Sequence, residues 1–245
     1  MQSNQLHSHS WRGDKLRVEI PYTRAGVAQH VVISGGQTCI LIDAGDGVLR
    51  DLLAGDLSPQ DIDAVFFTHG HYDHMGGLHT LLGFMRMIGR TEPLLLGVPP
   101  RCTEVLAAAR TFMECYPESI PFQIEVNELP PSGQVNIGEM EVTSYPVVHC
   151  GSIVGAEVLD PIPAVGYRIG CGGETVAVTG DTGMCPQLED IVRDADLAVI
   201  EATYESSEGR SRELLEKVHL SEDLARPLGD LAKEYILVHK GRRRG

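Results

Sequence analysis

Residues 64–74 read Ala-Val-Phe-Phe-Thr-His-Gly-His-Tyr-Asp-His, an apolar run that ends in a His-x-His-x-Asp-His cluster. With 10 histidines in 245 residues, chance places such a string in a chain of this composition on the order of 10⁻³ times. The four ligand-capable side chains cannot all face one ion from a regular strand, because successive strand residues alternate faces. The cluster is therefore expected on a loop after a buried strand. From there His69 and His71 can face one cation, and Asp73 and His74 a second. Neutral imidazole suits zinc, while a carboxylate also accepts manganese or iron, so the expected cofactors are two divalent ions, zinc first and manganese or iron as alternatives. Gly70 and the pair Gly76-Gly77 allow sharp turns and lead into a helix beginning near Leu78.

Two ions need more than four ligands, and apolar strands downstream deliver them. Residues 140–148 alternate and then run apolar into His149; residues 174–179 are rich in β-branched side chains and lead to Gly180-Asp181-Thr182, where Asp181 can bridge both ions. Residues 235–238, Tyr-Ile-Leu-Val, lead to His239. Ends of strands are where α/β folds place functional groups.

This set, His-x-His-x-Asp-His followed by His149, Gly-Asp-Thr at 180–182 and His239, resembles the metallo-β-lactamase superfamily of binuclear metallohydrolases. The likeness runs from about Val31 to His239 and takes in Ile40-Leu41-Ile42-Asp43-Ala44-Gly45, similar to a family strand whose Asp supports the metal loop. The resemblance implies an α+β fold, an αββα four-layer sandwich of two mixed sheets packed face to face and flanked by helices. It assigns His69, His71 and His149 to one metal, Asp73, His74 and His239 to the other, and Asp181 to both.

Two further segments, Glu201-Ala202-Thr203 and His219-Leu-Ser-Glu-Asp-Leu-Ala225, are similar to those of the ribonuclease Z branch, which includes phosphodiesterase and arylsulfatase relatives. In that branch the Glu orients a His beside the metals. Glu201 and His219 are accordingly expected as orienter and general acid, since a sugar alkoxide leaves poorly without a proton and a carboxylate-held imidazolium can supply one near neutral pH. The expected chemistry is that of two cations ~3.5–4 Å apart, which acidify a shared water and polarise phosphoryl oxygens, with Asp73 taking or orienting the proton of that water.

Composition narrows the substrate. A formal charge of −14 argues against a strong grip on folded tRNA, whose binding gains from displaced phosphate counterions; the dense basic run is Arg242-Arg243-Arg244, read as a solvated tail. The Gly- and basic-rich tRNA-clamping arm of ribonuclease Z has no counterpart in this sequence, and Val18-Glu19-Ile20-Pro21 stands where the family has Gly-Thr-Gly. Family members continue through further strands beyond the position of His239, whereas six residues follow it in this sequence. A small phosphodiester or ester, or a single-stranded nucleic acid, is favoured over tRNA as substrate. The resemblance also allows a homodimer. Within enzymes the alternative is a carboxylic ester, thioester or lactone hydrolase; outside them it is a non-catalytic metal- or nucleic-acid-binding module, which a full set of seven competent ligand positions disfavours.

The 42% hydrophobic content is enough for one substantial core, so residues 18–245 are expected as a single domain after a loose head, residues 1–17, that includes His7-Ser8-His9. No run reaches the ~18 apolar residues of a membrane span and the first ten residues are polar, which points to a cytoplasmic protein without a membrane partner. Six cysteines, at 39, 102, 115, 150, 171 and 185, form no Cys-x-x-Cys pair and read as reduced thiols, Cys150 chiefly as packing beside His149. Helical spacing appears at about 46–54, 77–88, 102–115, 186–193 and 221–234, with Ser221 as the cap of the last. Pro/Gly-marked stretches 90–101, 116–121 and 130–138 read as punctuation, and 151–164 as a loop overhanging the site, with Val154, Leu159 and Ile162 as an apolar wall.

Overall fold

A computed structural model describes residues 8–241 except 56 and 156. Strands β1 (His9–Arg12), β2 (Arg17–Arg24), β3 (Ala28–Gly35), β4 (Thr38–Ile42), β5 (Ala64–Phe66), β6 (Leu94–Val98) and β7 (Ile124–Glu128) form one sheet in that spatial order. A second sheet takes β8 (Gln134–Ile137) and β9 (Met140–Pro146); a separate hairpin of β10 (Ile153–Val154) and β11 (Glu157–Val158) follows; then β12 (Val165–Cys171), β13 (Glu174–Val178), β14 (Leu197–Glu201) and β15 (Glu234–Val238) complete the sheet in the order 15-14-13-12-9-8. Both sheets are mixed. Strands β4 to β7 are parallel to one another, as are β13 to β15, while the remaining ladders are antiparallel. Strand β9 is two antiparallel steps from β13 and so runs the same way.

Among the described residues, seven α-helices complete the fold: α1 (Val48–Ala54), α2 (Tyr72–Met75), α3 (Leu78–Met87), α4 (Thr103–Cys115), α5 (Gln187–Val192), α6 (Arg212–Lys217) and α7 (Glu222–Gly229). Alternation along the strands separates the layers. Ile40, Ile42, Ala64 and Phe66 point into the inter-sheet core with Val176, Val178, Leu197 and Val199 from the other sheet. Their neighbours Leu41, Val65 and Phe67 pack outward under α1, α3 and α4. On the far side Ala177, Ala198 and Ile200 meet Leu188, Ile191 and Leu228 from α5 and α7. Strands buried on both faces read as continuous apolar runs, which is why Ala64–Phe67 shows no alternation.

At the centre, Phe66 stacks edge-on against Tyr167 with ring centroids 5.5 Å apart. Glycine is required opposite it, because a Cβ on Gly97 would lie 2.3 Å from the Phe66 ring. Substitution Gly97→Ala is therefore expected to destabilise by ~1–3 kcal/mol through overpacking, read as a lower midpoint in chemical denaturation with an unchanged slope.

Several elements differ from the sequence expectation. Within the expected loose head, residues 9–12 are ordered: His9–Arg12 is an edge strand in register with Arg17–Ile20, and His9 lies in it. His7 and the basic run 242–244 lie outside the described residues. The stretches 90–101 and 130–138 hold β6 and β8; β8 is a four-residue half-exposed strand bounded by Gly133 and Gly138, too short for its period to register. The last helical pattern stops at Gly229, where the Tyr235 ring leaves no room for a Cβ and the chain turns back into β15. Helix α6 has no buried residue, so it lacks an apolar stripe; Ser211 caps it and the pairs Arg212–Glu216 and Glu213–Lys217 support it.

Candidate metal centre

Strands β4, β5, β9, β13, β14 and β15 all end at one edge of the sandwich, and a polar residue of the site closes or follows each: Asp43, His69, His149, Asp181, Glu201 and His239. The His-x-His-x-Asp-His cluster is only half a loop. His69, Gly70 and His71 are irregular, but Tyr72–Met75 is a single helical turn with His71 at its N-cap, so Asp73 and His74 are carried by a helix.

The seven expected ligand residues converge. His69, His71 and His149 bring one donor atom each to within 4.8 Å of one another, and so do Asp73, His74 and His239, as well as His69, His74 and Asp181. Asp181 lies between the two histidine groups: one carboxylate oxygen is 3.3 Å from His74 Nε2 and 4.0 Å from His149 Nε2, and the other is 3.2 Å from His239 Nδ1. All but His71 are buried.

Proton positions follow from the outer partners, because a carbonyl or carboxylate oxygen can only accept. His71 Nε2 donates to Gly151 O at 3.1 Å and His149 Nδ1 to Val218 O at 2.7 Å. His74 Nδ1 donates to Asp43 at 2.7 Å. The Thr68 hydroxyl donates to Asp43 at 2.8 Å and so accepts from His69 Nδ1 at 3.0 Å. The Thr203 hydroxyl donates to His239 O and accepts from His239 Nδ1, both at 3.0 Å. Each inward ring nitrogen is thereby left with a lone pair. His71 Nδ1 faces His149 Nε2 at 3.1 Å, His74 Nε2 faces His239 Nε2 at 3.3 Å, and buried His69 Nε2 has no hydrogen-bond partner. Lone pairs aimed at lone pairs, with two carboxylates beside them, repel unless cations stand between them. The donor set fits divalent metal ions.

Electrostatics prepare the ligands. Burial pushes His69 well below the ordinary histidine range and takes His149 down to about 3, so both are neutral donors at pH 7. Against the opposing effect of burial, His239 and then His74 bring Asp73 down to about 2, so it is ionised. Burial also opposes a charge on His74, but Asp181 and Asp43 outweigh it and push this imidazole above its usual value.

Asp43 holds the loop as expected. Its carboxylate accepts the Thr68 N–H at 2.7 Å in addition to the Thr68 hydroxyl and His74, from a backbone with φ +61°. Gly45 permits the close approach of α2, since a Cβ there would lie 2.2 Å from the Asp73 carbonyl. Opposite, Tyr167 donates to Phe67 O at 2.7 Å and fixes the strand end just before the cluster.

Glu201 and His219 are also brought together. The buried Glu201 carboxylate accepts His219 Nδ1 at 2.9 Å, the backbone N–H groups of Thr182 and Leu220 at 3.1 Å each, and that of Thr203 at 3.0 Å. Burial lowers the His219 pKa, but Glu201 more than compensates, and the net shift is upward. The ring lies 5.1 Å from that of His149 and 5.6 Å from that of His239, centroid to centroid. A cleft of about 410 Å³ opens over the cluster, lined by His71, Asp73, His149, Asp181, His219 and His239 together with Gly26, Tyr72 and Ile153.

Some contributors were absent from the sequence reading. Thr68 and Thr203 stand inside quoted motifs, yet their hydroxyls set the histidine tautomers, and Thr23 accepts the His239 N–H at 2.7 Å. Gly151 and Val218 act through carbonyls, which no side chain announces. Helix α6 has a place here too, since Gly183 packs against the backbone of Glu216 and the helix ends just before Val218. Residues 151–164 are not plain loop: β10 and β11 form a hairpin whose Ile153 reaches the cleft, while Val154 is 62% exposed and Leu159 38%, so neither forms the expected wall. Cys150 is buried, and burial raises its thiol pKa. Ser221 occupies the N-cap position of α7.

Two mixed sheets packed face to face with a His/Asp cluster at one edge define a metallo-β-lactamase fold. The chain belongs to the beta-lactamase superfamily domain family, whose model matches residues 38–239. It is 28% identical over 244 residues to a ribonuclease Z of Pyrococcus abyssi, covering 83% of this chain and 77% of the relative. A ribonuclease BN of Cronobacter sakazakii is 26% identical, covering 81% of this chain and 77% of its own. The human short-form tRNase Z superposes with a TM-score of 0.76 at 23% identity over 93% of both chains. The fold protein YhfI of Bacillus subtilis does so with a TM-score of 0.75 at 19% identity, over 95% of this chain and 89% of its own. Among the described residues no helix is long and apolar enough to cross a membrane.

Proposed function

We propose that this protein is a metal-dependent phosphodiesterase of the ribonuclease Z kind. In this reading His69, His71 and His149 hold one divalent ion, Asp73, His74 and His239 hold the other, and Asp181 touches both. Zinc is the expected metal from the imidazole-rich donor set, with manganese or iron as alternatives. When bound, the ions supply Lewis-acid activation of water and neutralise phosphoryl charge. The chain's own residues do the rest. Asp73, ionised and at the cleft wall, orients the attacking water or takes its proton. His219 donates from its cleft-facing side to the leaving oxygen, while Glu201 keeps Nδ1 protonated and the ring fixed.

The Glu201–His219 pair carries the choice of ester. Acyl hydrolases on such a site can release a thiolate or alkoxide without a dedicated acid, whereas a phosphodiester with a sugar leaving group needs one. The four hydrogen bonds that hold Glu201 make the pair a built feature. With a net charge of −14, a small or single-stranded substrate is favoured over folded tRNA, and the six cysteines, all free thiols, fit a reducing cytoplasmic setting.

The test is turnover of bis-4-nitrophenyl phosphate against 4-nitrophenyl acetate by zinc- or manganese-loaded protein. Higher kcat/KM on the phosphodiester is expected; a preference for the acetate overturns the assignment. Chelation followed by dialysis is expected to abolish phosphodiester turnover, with recovery on adding back the metal.

A further inference from the structure

Tyr72 stands between His71 and Asp73, at a position of the cluster where metal binding asks for no aromatic ring. Its side chain is nonetheless 64% exposed and lines the cleft. The ring is not free to swing: its hydroxyl donates to Gly26 O at 2.7 Å, while the Gly26 N–H donates to Asp73 at 2.8 Å, so two adjacent residues grip one glycine. Gly26 has φ +65°, and a Cβ there would sit 3.5 Å from the Tyr72 hydroxyl. The phenol's polar end is thus satisfied and its position set, leaving the ring to the cleft. The same cleft is lined by Ile153, 41% exposed, from the β10–β11 hairpin.

We infer that Tyr72, with Ile153, forms a slot for a flat aromatic ring carried next to the substrate's phosphate, as a nucleobase is in a nucleotide. The inference rests on the phosphodiester reading above. A ring held in place before the ligand arrives costs little further ordering when it stacks, and stacking on a π-face tolerates different bases. Apolar Ile153 adds contact without a hydrogen-bonding requirement, so the slot selects for flatness rather than for one base.

The probes are phenyl phosphate and methyl phosphate, which differ by the ring alone, titrated calorimetrically into zinc-loaded protein. The wild type is expected to bind phenyl phosphate about tenfold more tightly. Tyr72→Ala is expected to abolish that preference, whereas Tyr72→Phe, which keeps the ring but loses the bond to Gly26, retains it to within about threefold. Equal affinity of the wild type for both probes overturns the slot, and so does a Tyr72→Ala protein that keeps the preference. A proportionate weakening of both probes in Tyr72→Ala also overturns it, because that is the signature of a strap for the Gly26 turn. Ring preference without turnover of bis-4-nitrophenyl phosphate supports the slot and removes the phosphodiesterase reading.

Discussion

Substitution Asp181→Asn is expected to leave a folded protein that cannot hold its full complement of metal. Asp181 is 3% exposed, and its two oxygens reach toward His74, His149 and His239 at 3.2–4.0 Å. Among the described residues, no other carboxylate lies within 4.0 Å of histidine nitrogens of both groups. Despite burial, the surrounding histidines hold it ionised well below the usual carboxylate range, so its charge is present whenever cations are offered. Asparagine keeps the shape and removes the charge. Removing a hydrogen-bond partner of a metal ligand typically lowers metal affinity about 10–100-fold, so the loss of a carboxylate among the proposed ligands themselves is expected to exceed that range. The measurement is metal content by mass spectrometry after dialysis against buffered zinc, with circular dichroism as the check on folding. Asp43→Asn serves as the graded comparison, expected to fall within the 10–100-fold range. Full stoichiometry in Asp181→Asn refutes the bridging role.

The site was unusually legible because its chemistry is written in side chains at strand ends. His69, His71, Asp73 and His74 are contiguous, and His149, Asp181 and His239 each follow an apolar run, so period and ligand type coincide. Asp43 and the Glu201–His219 pair were legible through resemblance alone; nothing in the local pattern of Asp43 separates a loop anchor from a turn residue. What escaped is what has no side-chain signature. The carbonyls of Gly151 and Val218 choose the tautomers of His71 and His149, and which carbonyl does so depends on a hairpin and on a short charged helix distant in sequence. Strands β1 and β8 escaped for a related reason: each is an edge strand of four residues with alternating exposure, stabilised by its neighbour more than by its own composition. Tyr72 was readable as a letter of the motif, but its exposure and its bond to Gly26 are properties of the fold.

Substitution His219→Ala is expected to separate metal holding from proton donation. The ring is tied to Glu201 through Nδ1 at 2.9 Å, and Nδ1 is 3.9 Å from Asp181, so it borders the proposed metal ligands and has a carboxylate partner of its own. Metal content is therefore expected to stay close to that of the wild type. The loss falls on kcat, about 10²–10⁴-fold for a dinucleotide, whose departing sugar oxygen needs a proton. On bis-4-nitrophenyl phosphate, whose leaving group departs as a stable phenolate, the loss is expected to be much smaller. The sign of the pH dependence follows from the partner: Glu201 raises the His219 pKa despite burial, so the acid is charged at and below the ordinary histidine value and is lost as pH rises through the higher one. Wild-type kcat on the dinucleotide is expected to fall on that alkaline side, and the alanine variant to lack the limb. Glu201→Gln, which keeps the position but not the charge, is expected to move the limb toward lower pH. Equal losses on the two substrates, or loss of metal from His219→Ala, would mean that His219 acts as a ligand and that the departing oxygen is protonated by another group.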